Sequence, residues 1–529
     1  MGFVAAALGA VLRPGSAAAA SGAIKDQPWA VWDKNDKPVR GGYFRIATEQ
    51  YIGKMNPNRW PVLDWVSMTY FHERLMATDG RYTATVPWLA EEIRLEDPKT
   101  ILMRLREGVT FHDGSKFDAA SLKYQIDWVR DPKSKTFTAG WLAPLASLEI
   151  VDERTLRWKS NEPWAAFSGV ISTAPGFAVS AEALKVDADK YDTQPYGTGA
   201  YMLEEASPGN FLKLKRNPNW WFAKASGHHD MPYFDGIHVS VIPDPAVRLA
   251  NLRAGKIDYM VLDKSQYAAL RNDSAVNLYR FPGPHVAALR FNTTKGVFQD
   301  IRLRKAVSHA IDRKALIAGV LFGVGRVASC LYPEDHWCHN PELKPVAYDP
   351  ELSKKLLAEA GYASGLTIKG YYSNASLFQT VAEAIKGMLG KVGITWQVDL
   401  LPPAQLVTRG KSLDYDLGSS GWVWIFDPDG PASGLYHPSG AFSFGRSNYP
   451  EAIALIEAGR REVDFDKRQQ IYWKLEKMLY DAYEEVWMWW DETVTAYRKQ
   501  VQGWHHEGFL KYRDAWFLSH PLWFKDGKP

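Results

Sequence analysis

A strand, a helix and a second strand follow one another between Thr367 and Leu401, and this order constrains the fold more than any other feature. TIKGYYSN has the alternation and aromatic content of a strand, while SLFQTVAEAIKGMLG places apolar residues at helical spacing before ITWQVDLL. Strands joined through a helix form a β/α unit, and its crossover is right-handed. The segment therefore predicts an α/β fold.

Strand and helix signals in the remaining sequence are mixed and do not alternate strictly. Asp118 and Asp300 stand where helix N-caps are expected, Asp312 separates two helical stretches, and Pro350 has a first-turn position. LEIVDERTLRWKS is typical of a hairpin. No repeat of 20 to 50 residues is present. We therefore expect mixed sheets flanked by helices.

The chain has 529 residues, which is too long for one hydrophobic core, so two or three lobes are expected. Its formal net charge is only +3, and the sequence has no long run of Lys and Arg. Both observations argue against a nucleic-acid partner. Aromatic residues make up 13%, including 22 Trp. Such rings fill cores, and they also line ligand clefts.

Residues 1–23 have the apolar core and small-residue cleavage region of a secretory signal peptide, although no basic segment precedes Phe3. A short buried helix is the alternative. No other stretch is apolar enough to span a membrane, and no cysteine lies near the signal region to carry a lipid. We expect an exported, soluble protein.

Cys330 and Cys338 are the two cysteines of the chain. In an oxidising compartment they could close a small loop as a disulfide, which is the prediction made here. Two free buried thiols are the alternative. A zinc site is less favoured, because the cysteines with His336 and His339 match none of the usual ligand spacings.

Five blocks, in this order, resemble the large family 5 solute-binding proteins of ABC importers, the relatives of dipeptide- and oligopeptide-binding proteins. The resemblance runs from about Gly41 to the C-terminus. The blocks contain the following segments: VTFHDGSKFDAASLKYQIDWVRDP, YGTGAYMLEEASPGNFLKLKRNPNWW, VRLANLRAGKIDYM, ALRFNTTKGVFQDIRLRKAVSHAIDRKALI and YDPELSKKLLAEAGY.

The resemblance implies a two-lobed periplasmic-binding-protein clamp, with an extra subdomain in its first lobe and a hinge made by two chain crossings. These crossings are expected near RFPGPHV and near MWWDETVTAY. The predicted bounds are residues 24–281 with 494–529 for lobe I, about 61–194 for the extra subdomain within it, and 282–493 for lobe II.

The function implied by the resemblance is that of a periplasmic receptor of an ABC importer. It would capture a peptide, an opine-like conjugate or another small polar or aromatic molecule between its lobes, and deliver it to the permease. No catalysis and no cofactor are expected, and the protein would act as a monomer.

The segment SSGWVWIFDPDG raises the question of which ligand is bound. Peptide-binding relatives have Gly-Trp, two residues and then an Asp that pairs with the ligand's amino terminus. Here Ile425 has that position, and the next carboxylates are Asp427 and Asp429. Because an isoleucine cannot balance a buried cation, a peptide with a free amino terminus is a doubtful ligand unless Asp427 substitutes.

The ligand-binding candidates combine aromatic rings with groups that form hydrogen bonds. Two tryptophans of this segment are expected to wall the cleft, or alternatively to pack inside lobe II. Arg409 matches an arginine that helps hold the ligand carboxylate in oligopeptide-binding relatives, with a surface ion pair as the alternative. The full set is Trp422, Trp424, Phe426, Asp427, Arg409, Glu49 and Tyr51, with Lys54 beside them.

Two other functions were weighed. A metal-chelate or haem carrier of the same family could use His228, His229 and Asp230, or His505 and His506, but surface histidines are the better explanation of both pairs. A secreted carbohydrate hydrolase would need a carboxylate pair such as Glu484/Glu485 at a fixed separation. No nucleophile elbow, zinc helix or P-loop is present, so we expect neither catalytic residues nor a metal site.

Overall fold

The computed structural model describes residues 36–59, 65–78, 84–423, 425–446, 449–503 and 521–529. Three predictions therefore lie outside the described residues: the signal peptide at residues 1–23, the cleft position of Trp424, and the histidine pair His505 and His506.

The strands of the described residues are β1 Tyr43–Thr48, β2 Met76–Thr78, β3 Ala84–Pro87, β4 Ala90–Asp97, β5 Thr100–Leu105, β6 Leu145–Ile150, β7 Thr155–Ser160, β8 Tyr201–Ser207, β9 Phe211–Arg216, β10 Gly236–Val241, β11 Tyr259–Val261, β12 Val276–Phe291, β13 Arg326–Val327, β14 Leu366–Ser373, β15 Ile394–Leu401, β16 Leu417–Val423, β17 Glu485–Arg498, β18 Val501–Gln502 and β19 Trp523–Phe524.

The α-helices of the same part of the chain are α1 Trp65–Met68, α2 Ala119–Arg130, α3 Phe167–Ile171, α4 Ala181–Asp187, α5 Trp221–Ser226, α6 Pro245–Arg253, α7 Lys264–Leu270, α8 Ile301–Ala310, α9 Arg313–Gly319, α10 Pro350–Glu359, α11 Ser376–Gly390, α12 Pro403–Lys411, α13 Asp429–Tyr436, α14 Pro450–Arg461 and α15 Phe465–Asp481.

One mixed sheet connects the two lobes in the strand order β15-β14-β16-β12-β17-β11-β1-β10-β9-β8. We call lobe I the part built on β1 and β8 to β11, and lobe II the part built on β14 to β16 with helices α8 to α15. The predicted β/α unit is confirmed, because β14 and β15 pair in parallel with α11 between them in sequence.

The two predicted chain crossings are the long central strands β12 and β17. They pair antiparallel over most of their length, and the register shifts between Pro282 and Val286. On one side of this shift β12 and β17 belong to lobe I, and on the other side to lobe II. Because both strands run through without ending, the residue bounds of the lobes stay a prediction.

The predicted extra subdomain contains a separate antiparallel sheet with the order β4-β5-β7-β6. Its β6–β7 pair is the hairpin predicted from LEIVDERTLRWKS. The subdomain and one face of the lobe I sheet share a single hydrophobic core, which includes Phe44, Trp88, Trp158, Trp221 and Phe234. The two faces of the lobe II sheet are covered by two further cores.

Helix caps follow the local sequence closely. The carboxylates of Asp118, Asp300, Asp312 and Asp349 accept backbone N–H groups at 2.8, 2.9, 2.9 and 2.8 Å and begin α2, α8, α9 and α10. Each bond satisfies a donor that a helix N-terminus leaves free. Helix α9, the second of the two stretches that Asp312 separates, ends at Gly319.

Gly197 and Gly199 lie where two segments of the chain approach each other closely. A Cβ on Gly197 would lie 2.1 Å from the carbonyl oxygen of Phe71, and one on Gly199 would lie 2.7 Å from the Phe71 carbonyl carbon. Neither glycine has a positive φ. The YGTGAY block thus packs against the chain that follows α1.

The predicted disulfide is not formed, and Cys330 and Cys338 are free thiols. Both are fully buried beneath α15 in a lobe II core, but each sulfur has its own polar neighbour. Cys330 Sγ donates to the Glu476 carbonyl at 3.6 Å, and Cys338 Sγ lies 2.8 Å from His336 Nδ1. Burial raises the pKa of both thiols well above the usual value. They are therefore protonated packing residues.

A search of the described residues for a helix long and apolar enough to cross a bilayer found none.

Candidate functional site

Two sets of strand ends meet at the crossing of β12 and β17. In lobe I, β1 is parallel to β10 and β11, and in lobe II, β14 is parallel to β15 and β16. Trp422 near the end of β16 pairs with Val286, the first residue of β12 beyond the register shift. The carboxyl ends of both sets therefore face the crossing, which is the usual ligand position in open α/β sheets, and we call this region between the lobes the interlobe crevice.

At the crossing an ion pair lies close to a neutral imidazole, and we call His285, Asp491 and Lys264 the crevice floor. Lys264 at the start of α7 pairs with Asp491 of β17, and its ammonium also donates to the Val324 carbonyl at 3.1 Å. Burial lowers the pKa of His285 below its usual value, against the attraction of Asp491. Gly283 approaches β17 closely, since a Cβ there would lie 3.1 Å from the Asp491 backbone.

The lobe I wall contains the residues that follow β1. Glu49 is exposed, and Tyr51 is half-buried against the lobe I core. Burial raises the pKa of the Tyr51 phenol, which is neutral at physiological pH. The ammonium of Lys54 lies 2.9 Å from Asp192 Oδ2, so its charge is already balanced. Glu49 and Tyr51 stay predicted ligand contacts.

Trp422 lies at the edge of lobe II next to the crossing. Its ring is half-buried and packs edge-on against Phe442, with ring centroids 5.9 Å apart. The ring also lies against α13, where a Cβ on Gly434 would be 2.3 Å from it. One part of the ring is therefore fixed by lobe II while another stays accessible, and its contact with ligand stays a prediction.

Strand β16 ends at Val423, before Ile425 and Phe426. Ile425 is 4% exposed and belongs to the lobe II core that Trp422 also contacts. Phe426 is 8% exposed, but it joins the core of lobe I. Consecutive residues thus pack into opposite lobes, and this places the loop between them.

Asp427 and Asp429 are both engaged by arginines. Asp427 Oδ1 and Oδ2 each accept a hydrogen bond from the Arg468 guanidinium at 2.7 Å, and this pairing raises the pKa of Arg468 above its usual value despite the arginine's burial. Asp429 Oδ1 accepts from Arg460 Nε at 3.2 Å, and burial raises the pKa of Asp429. Neither carboxylate carries an unbalanced charge for a ligand ammonium.

Arg409, the predicted carboxylate-binding residue, lies on the last turn of α12 between two aspartates. Its Nη1 is 2.8 Å from Asp414 Oδ2, and its Nη2 is 3.2 Å from Asp399 Oδ2. This is the surface ion pair that was the alternative to a ligand contact. A ligand carboxylate would have to compete with both aspartates.

The sequence matches the family described as bacterial extracellular solute-binding proteins, family 5, over residues 84–443. This match covers well over half of the chain. The chain belongs to family 5 of the bacterial extracellular solute-binding proteins.

This family 5 protein has relatives that are named for different ligands. It is 27% identical to the dipeptide-binding protein of Escherichia coli over 82% of this chain and 86% of that protein. It is 27% identical to heme-binding protein A of Haemophilus influenzae, over 76% and 78% of the two chains. NikA from Brucella suis in complex with Fe(III)-EDTA has a TM-score of 0.81 at 24% identity, covering 90% of this chain and 100% of that one.

Within the described part of this family 5 protein, the candidate metal ligands His228, His229 and Asp230 do not belong to a metal-binding cluster. His228 Nδ1 lies 3.5 Å from the Tyr233 hydroxyl, and Asp230 is an exposed partner of Arg40 at 3.6 Å. Among the described residues, no group of three or more His, Cys, Asp or Glu side chains could hold a metal ion.

Sequence reasoning missed the crevice floor of this family 5 protein. His285, Asp491 and Lys264 are far apart in the chain, and only the pairing of β12 with β17 brings them together. A weak signal was present, because RFPGPHV and MWWDETVTAY were already predicted as the crossings and each contains one of these groups. No feature of the sequence pointed to Lys264.

Proposed function

We propose that this protein is the solute-binding subunit of an ABC importer, which closes its two lobes on a small solute and delivers it unchanged to the permease. The main support is the crevice where the carboxyl ends of the parallel strands of both lobes meet at the crossing. Membership of the family supports the same role. The protein acts in the periplasm as a monomer and has no catalytic activity.

We further propose that the solute has no free ammonium group at the position where peptide-binding relatives hold one. Ile425 replaces the family's carboxylate and is buried in lobe II. Asp427 and Asp429 are each paired with an arginine. A cation buried among these groups would lack a counter-ion, at a cost of several kcal/mol. N-blocked peptides, opine-like conjugates and aromatic acids avoid that cost.

A thermal-shift panel of matched ligands tests both proposals. Gly-Phe and N-acetyl-Gly-Phe differ at the amino terminus, and the panel adds N-carboxyalkyl amino acids, sugars, aromatic acids, nickel chelates and haem. A ligand at 100 times its Kd stabilises the folded protein by about 2.7 kcal/mol, enough for a clear shift. We expect the acetylated peptide to shift the Tm at least as much as the free one.

Outcomes of the panel separate the two proposals. A shift with Gly-Phe alone would contradict the ligand class and leave the receptor role intact. A shift with haem or a nickel chelate alone would favour a metal-chelate carrier of the same family. No shift with any solute, together with hydrolysis of a carbohydrate polymer, would contradict the receptor role itself.

Replacing Trp422 by alanine is expected to weaken binding of the best panel ligand by about tenfold or more, because the cleft loses an aromatic anchor. Trp141→Ala is the matched control, since Trp141 is 37% exposed on the extra subdomain. Isothermal titration calorimetry measures both Kd values. Equal Kd values for the Trp422 variant and the wild type would assign the ring to lobe II packing alone.

A further inference from the structure

The extra subdomain and lobe II touch through a second contact besides the crossing. The backbone N–H of Ala165 donates to the Arg460 carbonyl at 3.3 Å, and Arg461 Nε donates to Glu162 Oε2 at 2.8 Å. Phe426 is 8% exposed and packs into the lobe I core. We call the interlobe clasp the set of residues 162–169, 426–429 and 459–461.

Gly169 is the tightest point of the interlobe clasp. A Cβ on this glycine would lie 2.6 Å from Asp427 Cβ, and 3.3 Å and 3.5 Å from the Phe426 oxygen and the Asp427 nitrogen. These three nearest atoms all belong to lobe II. A larger residue at position 169 therefore meets lobe II first and is incompatible with this approach of the lobes.

The two aspartates of the DPDG turn hold the lobe II side of the clasp in place. Arg468, bound by Asp427 through two hydrogen bonds, donates from Nε to the Gly459 carbonyl at 2.8 Å. Arg460, paired with Asp429, donates from Nη2 to Ser433 Oγ at 2.6 Å. Both carboxylates thus fix the C-terminal turn of α14, whose residues Arg460 and Arg461 reach lobe I.

We propose that the interlobe clasp holds this protein closed without a ligand, and that Asp427 and Asp429 are positioning residues of the clasp. Phe426, Asp427 and Asp429, which follow Trp422 in the segment predicted to contact the solute, lie at the docking surface between the lobes. Asp427 and Asp429 therefore set how often the crevice opens. The closed population does not depend on which solute the crevice accepts.

Packing contributes more to the clasp than its ion pair does. The side chains of Arg461 and Glu162 are 49% and 40% exposed, so their attraction is screened and its loss changes the ratio of closed to open molecules by about two- to fivefold. A valine at position 169 has no room beside Asp427 in the closed form. We expect Gly169→Val to lower the same ratio by about tenfold or more.

Spin labels on cysteines introduced by Val186→Cys and Lys355→Cys report the opening, because these positions are 85% and 70% exposed on different lobes. The native thiols are fully buried and protonated, so they stay unlabelled. Distance distributions from double electron–electron resonance are compared, without any ligand, for the labelled parent and for its Gly169→Val, Glu162→Gln and Gly140→Val variants. Gly140 is the control, since a Cβ there meets nothing within 4 Å.

The expected result is one short distance for the parent and the Gly140 variant, a second and longer distance for Gly169→Val, and a smaller long-distance fraction for Glu162→Gln. Identical distributions for all four would contradict the clasp. If Gly169→Val does not fold, Glu162→Gln decides alone, and an unchanged distribution for it across low and high salt contradicts the proposal. Since no solute is added, these outcomes are independent of the ligand panel.

Discussion

Replacing Asp427 by asparagine is expected to lower the free energy of unfolding by about 3–5 kcal/mol, because the change leaves a buried cation without its counter-ion. The side chains of Arg468 and Asp427 are 7% and 14% exposed, and two hydrogen bonds of 2.7 Å join them. The arginine also lies against the rings of Trp337 and Tyr472, at 5.7 and 5.4 Å. Water cannot replace the lost carboxylate there.

Urea denaturation measures this effect, and two further variants define its cause. Asp399→Asn removes a carboxylate from an exposed arginine pair, so its denaturation midpoint should match the wild type closely. Adding Arg468→Met to Asp427→Asn removes the unpaired charge and should recover part of the stability. A midpoint for Asp427→Asn equal to that of Asp399→Asn would show that the Asp427 pair is solvated.

Local signals carried most of the fold prediction. Asp118, Asp300 and Asp312 begin helices where their sequence predicts, because an N-cap depends on a carboxylate and on the next three residues only. The parallel β14–β15 pair was predictable for a similar reason, since a helix of suitable length joins the strands. Such features need no knowledge of distant parts of the chain.

The candidate site was less predictable because distant partners decide its charges. Asp427 was expected to face a ligand, but Arg468, 41 residues later, binds both of its oxygens. Arg409 was expected to hold a carboxylate, and the nearby aspartates occupy it. Cysteine spacing likewise permitted a disulfide, but each thiol is free and has its own polar neighbour. The residue types indicated what each side chain can bind, but only the tertiary packing determines which group it does bind.

The high tryptophan content also has a structural explanation in the subdomain core. The indole N–H groups of Trp88 and Trp220 both donate to Glu73 Oε1 at 3.0 Å. The indole N–H of Trp221 and the hydroxyl of Thr198 both donate to Glu73 Oε2 at 2.8 Å. Glu73 is 5% exposed. The two tryptophans of NPNWW thus pack in the core and also satisfy a buried carboxyl group that no sequence signal indicated.

Glu73→Gln is therefore expected to lower the free energy of unfolding by about 2–4 kcal/mol at pH 5, because the amide nitrogen cannot accept the hydrogen bonds that one carboxyl oxygen receives. Burial raises the pKa of Glu73 to about 7, although the four donors pull it down. Between the unfolded value of about 4.5 and this folded value, the folded state binds more protons. The contribution of Glu73 to the free energy of unfolding of the wild type is fully present below pH 4.5. It falls by up to about 3 kcal/mol as the pH rises through 7.

The stability difference between wild type and Glu73→Gln isolates this effect and should shrink from pH 5 to pH 8. Burial lowers the pKa values of His72 and His112 to about 3 and about 4, so the stability that they contribute is lost as the pH falls below about 6.5, in the opposite direction. Both histidines are present in the two proteins, and their contribution cancels in the difference. A difference that grows with pH would mean that the indole donors outweigh burial and hold Glu73 ionised.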